Sequence, residues 1–262
     1  MRGRTFSLIF ILLCSLLLPV ATMPASASLE DLGSAGKVAE LDHAAVGWWV
    51  LENGNILVAT PNGIVTSYLV HENGTYAEVW SVATNTSVNC ADFNDDESLL
   101  AVGTSNGVVV VSVDYMDELY RFSVNEAVDG VAWDRDGDLW VTKRVSKHAV
   151  EWDGTVSTFS GISTVSSHTN GITDVITLSD GKILTSGRDK QIRIHDENGS
   201  FVQAIADSTA PLLKLGTSDD EAFLFSLTDN CRLDIHNTTG WVREQSINLC
   251  SNGQGRTLQQ LD

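Results

Sequence analysis

The chain has 262 residues, 43% of them hydrophobic, with 34 acidic against 16 basic side chains and a formal net charge of −18. So acidic a polypeptide is poorly suited to nucleic acid or an anionic membrane, which are bound by Lys and Arg neutralising phosphate. Its length suits a single all-β domain, and no long window carries helical periodicity.

The N-terminus reads as a targeting segment. Arg2 and Arg4 precede an apolar run from Phe6 to Val20, and Ala25-Ser26-Ala27 supplies an A-x-A cleavage site. This pattern predicts a secretory signal peptide over residues 1–27, too short and wrongly flanked for a membrane span. The expected location is secreted, periplasmic or at the cell surface, with no membrane span after cleavage. Cleavage would leave 235 residues (262 − 27) with 34 acidic and 14 basic side chains (16 − 2), a net charge of −20. Residues 28–45 follow. Lys37 to Asp42 alternates and reads either as a flexible lead or as a strand that closes a sheet formed by the other end of the chain.

From Val46 the chain repeats. The first unit places turns at Asn53-Gly54, Asn62-Gly63 and Asn73-Gly74, and Asn-Gly supplies the positive φ that tight hairpins need. The clearest unit runs from His168 to Gly199. ITDVITL turns at Ser179-Asp180-Gly181, KILTSG turns at Arg188-Asp189, QIRIH ends at Asp196-Glu197-Asn198-Gly199, and FVQAIAD follows as a fourth strand. The same pattern begins at Val46, Val88, Val128, Ile172 and Leu212, in steps of 42, 40, 44 and 40 residues. Four strands per repeat at this period predict a β-propeller of five four-stranded blades over residues 46–255. The first strand of each unit should be innermost and the last outermost. Residues 256–262, RTLQQLD, read as the start of a further repeat or as a tail. A closed ring must pair its last sheet with its first. The expectation is therefore five blades in an arc or imperfect ring, with a true five-bladed ring as the rival.

The fourth unit resembles the WD-repeat family. Its residues are His168 followed by Ser186-Gly187-Arg188-Asp189-Lys190-Gln191-Ile192-Arg193-Ile194-His195-Asp196, and the third unit holds the literal pair Trp152-Asp153. In that family a His, a Ser, an Asp and a Trp form a hydrogen-bonded structural tetrad. The resemblance places it at His168, Ser186, Asp189 and His195, with His195 where the Trp would be. It also implies a non-enzymatic scaffold that presents a rigid surface to a protein partner. The period covers most of the chain, whereas the motif is well formed in one unit.

Other constellations compete with this reading. His168, Ser186 and Asp189 are also the residue types of a hydrolytic relay, but Ser186 lies within a strand rather than on an exposed elbow. Asp134-Arg135-Asp136-Gly137-Asp138 has carboxylates in a turn, without the spacing and closing glutamate of a calcium-binding helix–loop–helix. The six histidines do not cluster and no glycine-rich phosphate loop is present, so neither a metal site nor a cofactor is expected. Asn89, Asp129, Asp174 and Lys214 fall on innermost strands and are candidates for lining a central channel. They support an alternative: a propeller enzyme or small-ligand binder. A third alternative is the ectodomain of a larger sensor. Export permits disulfides. Cys231 begins the third strand of the fifth unit and Cys250 ends its fourth, and such ends meet in an antiparallel hairpin, which predicts a Cys231–Cys250 bond. Cys90, beside Ala91 and Phe93, reads as a small buried apolar residue.

Overall fold

The computed structural model describes residues 45–249, apart from 52, 72–74, 147, 154–160, 167 and 219. The expected signal peptide, the Lys37–Asp42 strand, Cys250 and the segment 256–262 lie outside the described residues.

Every described element is a strand, and the strands form five four-stranded antiparallel sheets, each paired in chain order. The first sheet holds β1 (Gly47–Val50), β2 (Ile56–Ala59), β3 (Ile64–Val70) and β4 (Tyr76–Ala83). The second holds β5 (Val88–Phe93), β6 (Leu99–Thr104), β7 (Gly107–Ser112) and β8 (Asp117–Ser123). The third holds β9 (Val128–Trp133), β10 (Leu139–Lys143), β11 (His148–Trp152) and β12 (Gly161–Ser166). The fourth holds β13 (Ile172–Thr177), β14 (Ile183–Gly187), β15 (Ile192–His195) and β16 (Phe201–Ile205). The fifth holds β17 (Leu212–Thr217), β18 (Phe223–Thr228), β19 (Arg232–Asn237) and β20 (Val242–Asn248). The five-bladed all-β propeller read from the repeat period is the architecture observed.

Composition explains the layering within each sheet. Second and third strands are the more buried ones, most fully in the β-branched run Val108-Val109-Val110-Val111 of β7. Last strands are largely exposed, as in β4, β8 and β20. First strands of the middle sheets approach one another, β5 with β9, β9 with β13 and β13 with β17. This places the first strands inside and the last outside.

Burial occurs between sheets. Leu57, Ala59 and Val65 pack on Leu100, Val102, Val109 and Val111 across the first and second sheets. Cys90, Ala101, Val108 and Val110 meet Val131, Trp133, Leu139 and Trp152 across the second and third. Trp140 and Ala132 meet Ile172, Val175 and Ile183 across the third and fourth. Leu184, Ile192 and Ile194 meet Leu212, Leu215 and Leu224 across the fourth and fifth. Among the described residues, no hydrophobic cluster joins the fifth sheet to the first. Six of the seven tryptophans sit in these layers or against them: Trp49, Trp80, Trp133, Trp140, Trp152 and Trp241.

Up-and-down pairing gives each sheet two ends. The turns between its second and third strands share one end with the connections to the next sheet, here called the connection end. The remaining turns lie at the opposite end. A repeated backbone bond ties the middle turn of the second to fifth sheets to the connection that precedes each: Ser105 N to Ser87 O (2.9 Å), Arg144 N to Ala127 O (2.8 Å), Arg188 N to Gly171 O (2.9 Å) and Asp229 N to Pro211 O (2.9 Å). Among the described residues, no helix is long and apolar enough to cross a membrane.

Candidate functional site

The polar centre of the fourth sheet is His168, which precedes β13 and is 2% exposed. Its Nδ1 lies 2.7 Å from Asp189 Oδ1 and its Nε2 2.9 Å from Thr185 Oγ1. Asp189 also accepts from Thr169 N (2.8 Å) and Gln191 N (3.3 Å). One carboxylate thus gathers the connection, the imidazole and the β14–β15 turn. Burial pushes the His168 imidazole below its ordinary pKa, and the Asp189 carboxylate opposes that only in part. A neutral ring fits the geometry: Nδ1 donates to Asp189, and Nε2 accepts from the Thr185 hydroxyl. For Asp189 burial works against the charge, but the bonds from His168 and Thr169 outweigh it and hold the carboxyl below its ordinary value.

Thr185, not Ser186, is the hydroxyl on the imidazole. Neighbouring strand residues face opposite sides of a sheet. Thr185 shares a face with Ile183 and His195, toward the third sheet. Ser186 faces the other way and pairs with Thr173 (Oγ to Oγ 3.0 Å). His195 is 1% exposed, with its ring edge-on to Phe201 at 5.9 Å. Gly187 makes the arrangement sterically feasible, because a Cβ there would lie 2.3 Å from His168 Nδ1.

Carboxylate, imidazole and hydroxyl in series could activate a nucleophile. Here Thr185 is 1% exposed and His168 2%, so a substrate atom has no approach to the hydroxyl. What the set does is fasten a connection to a turn.

The inner strands carry a second polar group. Asp174, 5% exposed, lies at the junction of the fourth and fifth sheets, where Oδ2 accepts from Leu215 N (2.8 Å) and Oδ1 lies 3.3 Å from Lys214 Nζ. Burial raises the Asp174 pKa, against the opposing pull of Lys214. Lys214 Nζ also reaches the Asp129 carbonyl at 3.5 Å, while the Asp129 carboxylate is held by Arg144 (2.7 Å). Asn89 donates to Val128 O at 3.0 Å. Asp129, Asp174 and Lys214 are therefore brought together, and Asn89 joins the adjacent backbone. A similar device recurs between the second and third sheets, where Asp92 accepts from Trp133 N (3.0 Å).

Two polar groups contain residues not singled out from the sequence, Asp234 and Glu151. Asp234, fully buried, is bonded by Arg232 (2.6 Å) and by Ser246 (2.5 Å). The Arg-x-Asp spacing on one strand, which puts both side chains on one face, was the available signal. Asp134, Asp138 and Glu151 bring their carboxyl oxygens within 4.8 Å of one another. Burial first, then the neighbouring Asp134 and Asp138, pushes Glu151 up to about 7. Among the described residues these three carboxyls are the set that could converge on a cation. The turn was legible in the sequence; its partner Glu151 lies a strand away. Cys231 is disulfide-bonded, and Cys90 is buried, with its Sγ 3.8 Å from Val128 O.

Comparisons with known proteins agree with this geometry. The family model for the WD domain, G-beta repeat, matches residues 64–111 and 159–196, the second segment containing His168 to Asp196. A search of curated proteins finds no match. Among solved structures, a chain in the crystal structure of the mitotic checkpoint complex is similar, with a TM-score of 0.65 and 17% identity over 88% of this chain and 73% of that one. With five four-stranded sheets in sequence, the chain has the β-propeller fold, and it carries matches to the WD repeat over residues 64–111 and 159–196.

Proposed function

We propose that this chain is an exported scaffold that holds a protein partner on rigid loops and catalyses no reaction of its own. The observation that carries this reading is the burial of its most reactive set. Asp189, His168 and Thr185 are spent on joining backbone segments rather than turned toward a substrate. WD-repeat propellers commonly serve as interaction scaffolds, and the similar solved chain comes from a multiprotein complex. Export rests on the leader-like pattern of residues 1–27. The convergence of Asp129, Asp174 and Lys214 favours a second reading, a binder or enzyme using the central channel.

Cross-linking the full chain in its native envelope or medium, beside a screen for hydrolase, lyase and quinone-dependent oxidation activity, separates the two. The expected result is saturable cross-linking to a protein and no turnover. Turnover that disappears in Asp129→Asn while the fold is kept would overturn the scaffold reading.

A further inference from the structure

The charges of this acidic chain are unevenly placed. The opposite-end turns hold Asp95-Asp96-Glu97 and the Asp134–Asp138 carboxylates, and the cations there are already paired, Arg135 with Glu197 and Lys182 with Asp180. At the connection end, where the third sheet meets the fourth, Lys143 and Arg144 are paired with Glu126 and Asp129, and two further cations stand beside them. Arg188 and Lys190 are exposed on the β14–β15 turn, Thr169 and Asn170 are exposed on the preceding connection, and Val145 stands 76% exposed on the β10–β11 turn.

These three segments form one stiff surface. Ile172 N bonds Ser146 O (3.0 Å), Arg188 N bonds Gly171 O (2.9 Å), and Asp189 holds Thr169 N. Gly171 is packed so closely that a Cβ would lie 3.0 Å from Arg144 O.

Lys190 closes its turn at a position that glycine can also fill. It sits at φ +68°, where an L side chain is strained, and donates its N–H to Gly187 O. The corresponding turn of the first sheet closes with Gly63 bonding Thr60 O, at φ +88°. That of the fifth closes with Cys231 bonding Thr228 O, and Cys231 uses its side chain in a disulfide. Glu97, Met116, Glu221 and Trp241 also sit at positive φ, so what distinguishes Lys190 is its charge on this surface and not its backbone.

We infer that Arg188, Lys190 and Val145, with the Thr169–Asn170 connection, bind an acidic peptide segment carrying an apolar side chain. This rests on the scaffold reading and specifies its partner. The two cations match carboxylates, Val145 offers an apolar seat, and Thr169 and Asn170 supply hydrogen bonds. A long polyanion fits worse, because beyond this patch it meets a chain of net charge −18.

The test is fluorescence anisotropy on the full chain with a labelled Asp-Glu-Asp-Ile-Glu-Asp peptide. Its Asn/Gln counterpart, a short single-stranded DNA and phosphatidylserine vesicles serve as comparisons. Binding should be saturable, weaken as salt rises, and exceed that of all three comparisons. Arg188→Glu combined with Lys190→Gly should weaken it at least about tenfold, through loss of two charge-assisted contacts. Lys190→Gly alone should weaken it without lowering thermal stability, since glycine relieves the turn, and Lys182→Gln at the opposite end should leave it unchanged. No peptide binding, equal binding by the double variant, or tighter binding of DNA or vesicles would overturn the inference. A native partner cross-linked elsewhere on the propeller would leave the scaffold reading standing while removing this surface from it.

Discussion

The second and fourth sheets solve the same problem with different materials. Each must fix its middle turn to the connection that precedes it, and each does so with the same backbone bond, Ser105 N to Ser87 O and Arg188 N to Gly171 O. The second sheet adds little beyond apolar packing: Val108 to Val111 are all buried, and Cys90 and Val128 close on Gly103. The fourth adds a buried carboxylate, an imidazole and a hydroxyl. The backbone tie therefore belongs to the architecture, whereas the polar relay is a local reinforcement. Only the reinforcement leaves a readable motif.

The largest effect should come from breaking a polar junction outright. Lys214→Met leaves Asp174 buried without its cation and should cost about 3 kcal/mol or more in urea unfolding, as uncompensated buried charges do. Replacing both residues with apolar ones should cost less. If the single change proves neutral, the buried pair is not what fastens the fourth sheet to the fifth.

The fifth sheet tests a covalent version of the same tie. We propose that the partner of Cys231 is Cys250, because Leu249 N already bonds Cys231 O at 2.8 Å. Non-reducing peptide mapping should recover the two cysteines in one linked species, and their replacement by serine should cost about 2–3 kcal/mol. Free thiols at both positions would remove the pairing.

Asp189→Ala, which strips partners from His168 Nδ1 and Thr169 N, should destabilise by about 1–3 kcal/mol. Asn106→Ala, in the equivalent turn of the second sheet, should stay within about 0.5 kcal/mol. Similar losses from both would erase the distinction between the two sheets.

The smallest effects are pH-dependent and run in opposite directions. Glu151 is raised from 4.5 to about 7, so the folded state holds its proton longer, and stability should fall as pH rises between those values. His168 is lowered from 6.5, so its contribution is complete above that pH and is lost as pH falls through the folded pKa. Melting temperatures across a pH series should show both slopes. Glu151→Gln should flatten only the first, and a slope unchanged by it would show that another group governs that window.

The sequence carried the fold because its information is periodic. Hairpin turns such as Asn53-Gly54 and alternating strands recur at nearly constant steps, and each recurrence confirms the last. It carried the site less well because side-chain partnership depends on parity and bulges. Thr185 and Ser186 are adjacent and chemically alike, and only the register decides which faces His168. The pairing steps irregularly between Ile172 and Asp174, and a comparable step between Leu212 and Lys214 helps bring Asp174 and Lys214 to one junction. Glu151 was illegible for a related reason: its partners lie in the turn that opens the neighbouring strand, brought beside it only by the β10–β11 register.

The layered cores also govern how the molecule comes apart. Each described hydrophobic cluster joins only neighbouring sheets, so stability passes along the chain as through a row of leaning books. Amide hydrogens of the second, third and fourth sheets, each clasped on both faces by these clusters, should exchange with solvent more slowly than those of the first and fifth. A lesion in one sheet would then be felt next door as faster exchange before the whole structure melts.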